Sequence, residues 1–203
     1  MTSAINAVCA LFCLIAFTFY LVALIGHSCT QSVITDIFWI YARSGGEAYF
    51  GTRCFYSGAQ SPPVIHFEGG QCTGSFCDIC AANGKVAFGL NIVSIVFTTI
   101  SFGLCCAALT KANKDHSISN IVMSFLGFAP SLIGTVLFMS RCYSEINDQF
   151  GSSVAEWGPG SILSVIAFIF MGLVSLLQVI DVALMKEGDE SAAFGTGTPG
   201  RVR

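Results

Sequence analysis

Ten cysteines are the residues of this chain best equipped for chemistry. Cys9, Cys13, Cys105 and Cys106 lie within long apolar stretches, and Cys29, Cys54, Cys72, Cys77, Cys80 and Cys142 lie outside them. The run Cys72-x4-Cys77-x2-Cys80 admits three chemistries. Its spacing overlaps that of plant-type iron–sulfur ligation, and His66 is near enough in sequence for a zinc alternative. Cys77-Asp-Ile-Cys80 is also a C-x-x-C just ahead of an apolar stretch that starts at Val86. A strained, exposed pair there could exchange with partner thiols and hand electrons to a quinone. The third chemistry is structural. An even set of cysteines on one side of a membrane is what an oxidising compartment permits, and disulfides there compete strongly with metal clusters. The structural reading is favoured, with no metal and no cofactor expected, and the pairing of the six is left open.

Little else in the chain is equipped for catalysis. No Ser/His/Asp set, HExxH, phosphate-cradling glycine motif or N-x-[ST] acceptor occurs. His27 and His116 fall at the edges of apolar stretches and His66 follows a strand-like run, positions that suit interfacial or surface histidines. The net charge of −3 supplies no basic field for nucleic acid. A non-enzymatic protein is expected.

The elements that position these cysteines are set by where charge is missing. All nine basic and twelve acidic side chains fall outside four windows, residues 1–35, 86–110, 116–140 and 157–180. A hydrocarbon core about 30 Å thick needs about 20 apolar residues in a helix, and every window holds that many. Composition agrees, at 54% hydrophobic and 10% charged. The expected fold is an all-α membrane protein, a four-transmembrane-helix bundle with a small extracellular β-sheet formed mainly by the first outer loop. The spans are placed at about 4–25, 86–109, 118–139 and 161–180 in one domain, 1–185. The first span lacks the basic flank of a signal peptide and is too long for one, so it is read as retained.

The connections are unequal. Residues 27–85 form a long first loop, 111–116 a tight turn and 141–160 a second loop, followed by a Gly/Ser/Thr-rich tail, 186–203, read as mobile. Lys111, Lys114, Lys186, Arg201 and Arg203 cluster in the turn and tail, whereas four basic residues are spread over the two loops. The positive-inside tendency then makes both termini cytoplasmic and both loops outer. Ser32 to Tyr41, Ala48 to Phe50 and Pro63 to Phe67 are rich in β-branched and aromatic residues, with Gly45, Gly46, Gly69 and Gly70 between them, which predicts three or four short strands; the alternative for Val33 to Tyr41 is a continuation of the first helix or a segment lying on the bilayer. The six outer cysteines should staple the first loop, with Cys142 tying the second loop to it. A sheet this small would otherwise be marginal.

No ionisable group is expected at mid-membrane depth, and Asp181 and Lys186 are read as reaching the interface at the inner end of the fourth span. Ion pathways normally depend on such groups, so a pump or transporter is disfavoured. The small residues Gly127 and Ser131 should let helices approach closely, Pro130 should kink the third span, and Asn91, Thr98, Asn120 and Gln178 could hydrogen-bond between helices or to a partner. Trp157 and Tyr143 suit interfacial anchors. The vicinal Cys105-Cys106 is read as packing, with palmitoylation as the alternative.

Four spans, inner termini, a long cysteine-bearing first loop with strand character and a short second loop together resemble the claudin/PMP22 tetraspan superfamily. Phe50-Gly51-Thr52-Arg53-Cys54 is similar to part of the amastin surface-protein signature, although no cysteine occupies the upstream position. The claudin Gly-Leu-Trp-x-x-Cys pattern is absent, while Trp39 stands in the expected first strand. The resemblance implies a non-enzymatic membrane-surface protein working by lateral or trans contacts, or an accessory subunit; the expected partners are membrane lipids with a second copy or a larger membrane complex, and an accessory subunit of a channel is an alternative. Four-span disulfide-generating quinone oxidoreductases resemble the chain in span count and in the Cys77/Cys80 pair. They need a second shuttling pair, however, and the second loop offers only Cys142.

Overall fold

The computed structural model describes residues 2–43, 46–58, 63–68, 72–110, 114–150 and 155–195. Gly45, Gly69, Gly70, the turn residues 111–113 and the chain end 196–203, all of which figure in the expectations above, lie outside them. Four helices are each long and apolar enough to cross a membrane: α1 (Thr2–Ile25), α3 (Ser75–Thr110), α4 (Lys114–Phe150) and α5 (Pro159–Gly195). Short α2 (Gln31–Asp36) follows α1. Strands β1 (Ile40–Arg43), β2 (Glu47–Phe50), β3 (Cys54–Ser57) and β4 (Val64–His66) come before α3, and β5 (Ala155–Trp157) comes before α5.

The helices form a ring in which α1 packs on α3 and α5, and α4 also packs on α3 and α5. Chain direction makes every one of those neighbours antiparallel. The burial pattern explains the packing. Asn6, Cys9, Cys13, Ala16, Tyr20 and Ala23 are the buried line of α1, and Cys77, Cys80, Gly84, Ala87, Asn91, Ser94, Thr98, Ser101, Cys105 and Ala108 are that of α3. Both lines step by three and four residues, the 3.5-residue repeat that keeps one stripe of a helix on a bundle seam. The stripe is small and polar, whereas Leu11, Phe125, Val136, Ile169 and Leu176 point outward and are half or more exposed. Water would not tolerate so much exposed apolar surface on a monomer. Hydrocarbon does, and small seam residues let helices approach where no hydrophobic force drives them together.

All five strands make one antiparallel sheet in the order β4-β3-β2-β1-β5. It caps the end of the bundle where α1 and α4 finish and α3 and α5 begin. Its inner face, Ile40, Ala42, Phe50, Phe55 and Ile65, packs with Phe76, Phe138, Met139 and Ile146 from the helix ends.

Several expected boundaries are corrected. Residues 32–36, expected to be strand with helix as the alternative from Val33, belong to the helix α2, because burying Ile34 beside Gly51 overrides the local β-branched preference. The helix that holds the span placed at 86–109 starts at Ser75, and the one that holds 118–139 runs through Pro130 to Phe150. The expected second loop, 141–160, is therefore mostly helix, and its remainder adds the edge strand β5 to the sheet. Helix α5 continues past the span placed at 161–180 as far as Gly195. One physical reason covers these extensions. A charge ends the apolar window but not the helix, whose backbone hydrogen bonds continue into water.

Candidate interaction face and the buried polar seam

The chain is stapled at its sheet end by three disulfides, Cys29–Cys54, Cys72–Cys77 and Cys80–Cys142. The six candidate cysteines are thus all paired, but not as a C-x-x-C. Cys77 and Cys80 both face the core and bond away from each other, to Cys72 and to Cys142. Through Cys80, Cys142 joins residues 141–160 to residues 27–85, the tie expected between the second and first loops. It lies on α4 and locks that helix to α3, a consequence of both helices extending beyond their apolar windows. Cys9, Cys13 and Cys105 are buried thiols, and Cys106 is half-buried. Among the described residues, no group of three or more His, Cys, Asp or Glu could hold a metal ion.

The segment Phe50-Gly51-Thr52-Arg53-Cys54 docks the sheet on the bundle, and each residue type has a reason. Phe50 is buried and stacks on Phe55. Gly51 leaves room for the chain after α1, since an added Cβ would lie 2.8 Å from the Gly26 carbonyl oxygen. Thr52 lies against α3 so closely that a Cβ on Gly84 would fall 1.7 Å from its carbonyl oxygen. The Thr52 hydroxyl also pairs with His27 Nδ1. Arg53 is exposed, and Cys54 closes the bridge to Cys29 at the end of α1. His27 is sandwiched between Phe88 and Trp39, with ring centroids at 4.7 and 5.6 Å. Burial, and then the Arg53 charge, push its pKa down to about 3, so the ring is neutral. Trp39 donates from Nε1 to the Ala23 carbonyl at 3.3 Å and meets Phe138 edge-on.

The second strand-bearing segment is anchored as firmly. Gly158 and Gly160 donate to the Trp39 and Phe38 carbonyls at 2.8 and 2.9 Å, and a Cβ on Gly158 would strike Phe38 at 2.3 Å. Tyr143 donates to the Ala155 carbonyl at 2.8 Å and holds α4 to β5. Trp157 stays exposed.

The opposite face of the sheet is not covered by the bundle. Register places Glu156, Tyr41, Tyr49, Tyr56 and Val64 in one row across all five strands. The tyrosine rings follow at 5.2 and 6.0 Å, and Phe38 joins Tyr49 at 5.1 Å. Tyr49 donates to Glu47 at 2.9 Å, and that bond holds the Tyr49 hydroxyl above the usual phenol range. Gln31 reaches Tyr56 at 3.4 Å. The result is a ridge of half-buried aromatic rings tipped with hydroxyls and flanked by carboxylates.

A second set of functional groups lies inside the bundle. Asn91 Oδ1 accepts from Ser131 at 3.1 Å, and Ser164 bridges Ser131 and Thr135 at 3.3 and 2.8 Å. Asn120 accepts from Ser101 and donates to Cys105 Sγ at 2.9 Å. Tyr20 donates to the Gly127 carbonyl at 3.2 Å, and an added Cβ on Gly127 would come within 3.0 Å of Met171. The packing candidates Gly127, Ser131, Asn91 and Asn120 are thus all buried between helices, Asn91 against Ser131, Asn120 against Ser101 and Cys105, and Gly127 against Tyr20 and Met171, while Pro130 is only half-buried.

At the end away from the sheet, Gln178 Nε2 donates to Asn6 Oδ1 at 2.9 Å, and Asn6 Nδ2 reaches Asp181 Oδ2 at 3.5 Å. Ser117 donates to the same Oδ2 at 3.0 Å. Asp181 is completely buried, not reaching the interface as expected, because its place on the three-four stripe of α5 turns it inward. Asn6 and Ser117 were not singled out in the sequence. The signal that would have found them is the same stripe, read for polar residues rather than apolar ones.

No family model matches the chain, and no curated protein is similar to it at a significant level.

Proposed function

We propose that this chain is a non-enzymatic membrane interaction protein of claudin/amastin-like type. In this reading the sheet is extracellular, both termini are cytoplasmic and the membrane is the plasma membrane. The observation that carries the proposal is the aromatic row on the uncovered face of a sheet held by three disulfides. Aromatic residues dominate the energetic centres of protein contacts. A stapled sheet loses little further entropy when it binds, which favours lateral or trans contacts with a copy or a larger complex. Disulfides at one end only, with four unbridged thiols elsewhere, support the outward orientation of that end. The thiol-oxidoreductase alternative loses support, because Cys77 and Cys80 are buried and bonded to different partners.

The test is co-capture of two differently tagged copies, in one membrane and across apposed membranes, for the wild type and for Tyr49→Ala with Glu156→Lys. Loss of at least about 2 kcal/mol of contact energy is expected, as for a central aromatic. A wild-type protein that runs strictly as a monomer and retains no native partner counts decisively against the reading. Orientation is checked with a C-terminal tag, which should be reached by antibody only after permeabilisation.

A further inference from the structure

We propose that Asp181, Gln178, Asn6 and Ser117 form a binding site for one small, hard monovalent cation of the sodium class. The site lies inside the bundle, at the end away from the sheet. It joins three helices: α5 supplies Asp181 and Gln178, α1 supplies Asn6 and α4 supplies Ser117. All four side chains are buried, Asp181 and Gln178 completely. The groups that reach Asp181 Oδ2 are neutral, an amide and a hydroxyl. Asp181 Oδ1 and Gln178 Oε1 have no hydrogen-bond partner. Both atoms are acceptors, they sit one helical turn apart on α5, and the single Asn6 amide is bonded to both of their side chains.

This is an open chain of hydrogen bonds that ends on a carboxylate, and none of its donors is charged. A carboxylate buried among apolar helices is costly unless it is paired, and such a residue within a span is normally a functional group. The charge and donor set select the ligand. One carboxylate against one monovalent cation leaves the site neutral, whereas a divalent ion would leave a net charge in a low-dielectric bundle. The available donors are oxygens, Asp181 Oδ1 and Gln178 Oε1 with the Ser117 hydroxyl beside them, and oxygen donors suit hard ions. Few ligands favour a small ion over a large one. Bound there, the cation clamps the ends of α1, α4 and α5 together.

The experiment is thermal unfolding of the full chain in lipid nanodiscs, titrated with NaCl against N-methylglucamine chloride at constant ionic strength and pH. Saturable stabilisation by sodium is expected, roughly 5 °C or more once sodium is well above its dissociation constant. KCl should do less. Asp181→Asn should remove the sodium response while leaving the sodium-free midpoint unchanged or higher. Equal midpoints in the two salts, or the same sodium response in Asp181→Asn, overturn the proposal. So does a midpoint in sodium-free buffer that depends on pH alone and is blind to sodium at every pH, because the site then holds a proton. If Asp181→Asn does not fold, radiosodium retained by the wild type and lost in Gln178→Leu supports the site, and no retained radiosodium overturns it.

Discussion

At the scale of single residues, two positions control how the sheet sits on the helices. Gly84 has no room for a methyl group, because the Thr52 backbone occupies that space and a backbone cannot swing aside as a side chain can. Gly84→Ala should therefore cost at least about 2–3 kcal/mol, the range for overpacking, and lower the unfolding midpoint. The second position is His27. Its folded pKa of about 3 lies below the ordinary value of 6.5, so the unfolded chain binds more protons between those limits. Stability attributed to the neutral ring is complete above about pH 6.5 and falls progressively as the pH drops toward 3. Unfolding midpoints measured from pH 7.5 to 4.5 should fall more steeply for the wild type than for His27→Asn. Equal slopes for the two proteins would remove His27 from this role. Neither residue was marked for docking by its sequence context. Gly84 looks like one more glycine near an apolar window, and only the approach of residue 52 makes it obligatory.

At the scale of elements, the bridges differ in what they hold. Cys72–Cys77 closes a separation of 5 residues, Cys29–Cys54 one of 25 and Cys80–Cys142 one of 62. The chain-entropy argument then assigns about 2, 3.5 and 4 kcal/mol in that order. Paired alanine variants should lose stability in the same order, measured as unfolding midpoints under non-reducing conditions. Loss of Cys80–Cys142 should also loosen α3 from α4 at the sheet end, visible as faster amide exchange around Cys80. The strand character of the long loop was legible at Ala48 to Phe50 and Pro63 to Phe67, where alternation matches a half-buried face. It misled at residues 32–36, where one buried isoleucine turns a helix toward the sheet.

At the scale of the whole molecule, the bundle is inside-out relative to a soluble one, with leucine, valine and phenylalanine outward and serine, asparagine, threonine and glycine inward. Close approach should therefore matter more than any single interhelical hydrogen bond. Asn120→Leu should cost about 1 kcal/mol, since a lost hydrogen bond in a membrane bundle is worth little. Gly127→Leu should cost several times that, because Met171 and Thr98 already stand at the edge of the space a Cβ would fill. Reversible unfolding in mixed micelles measures both, and a larger loss for Asn120→Leu would show that hydrogen bonding governs the seam.

The sequence by itself determined the number of long apolar helices and the one-sided gathering of six cysteines. Both follow from local facts: the length of an uncharged run and which loop a residue falls in. Tertiary structure alone decided which cysteine bonds to which, that β5 completes the sheet, and that Tyr41, Tyr49 and Tyr56 share a row with Glu156. It also decided that Asp181 turns into the bundle instead of out to the interface. Those outcomes depend on register between strands and on the rotation of each helix about its axis, which are set by contacts between residues far apart in the chain.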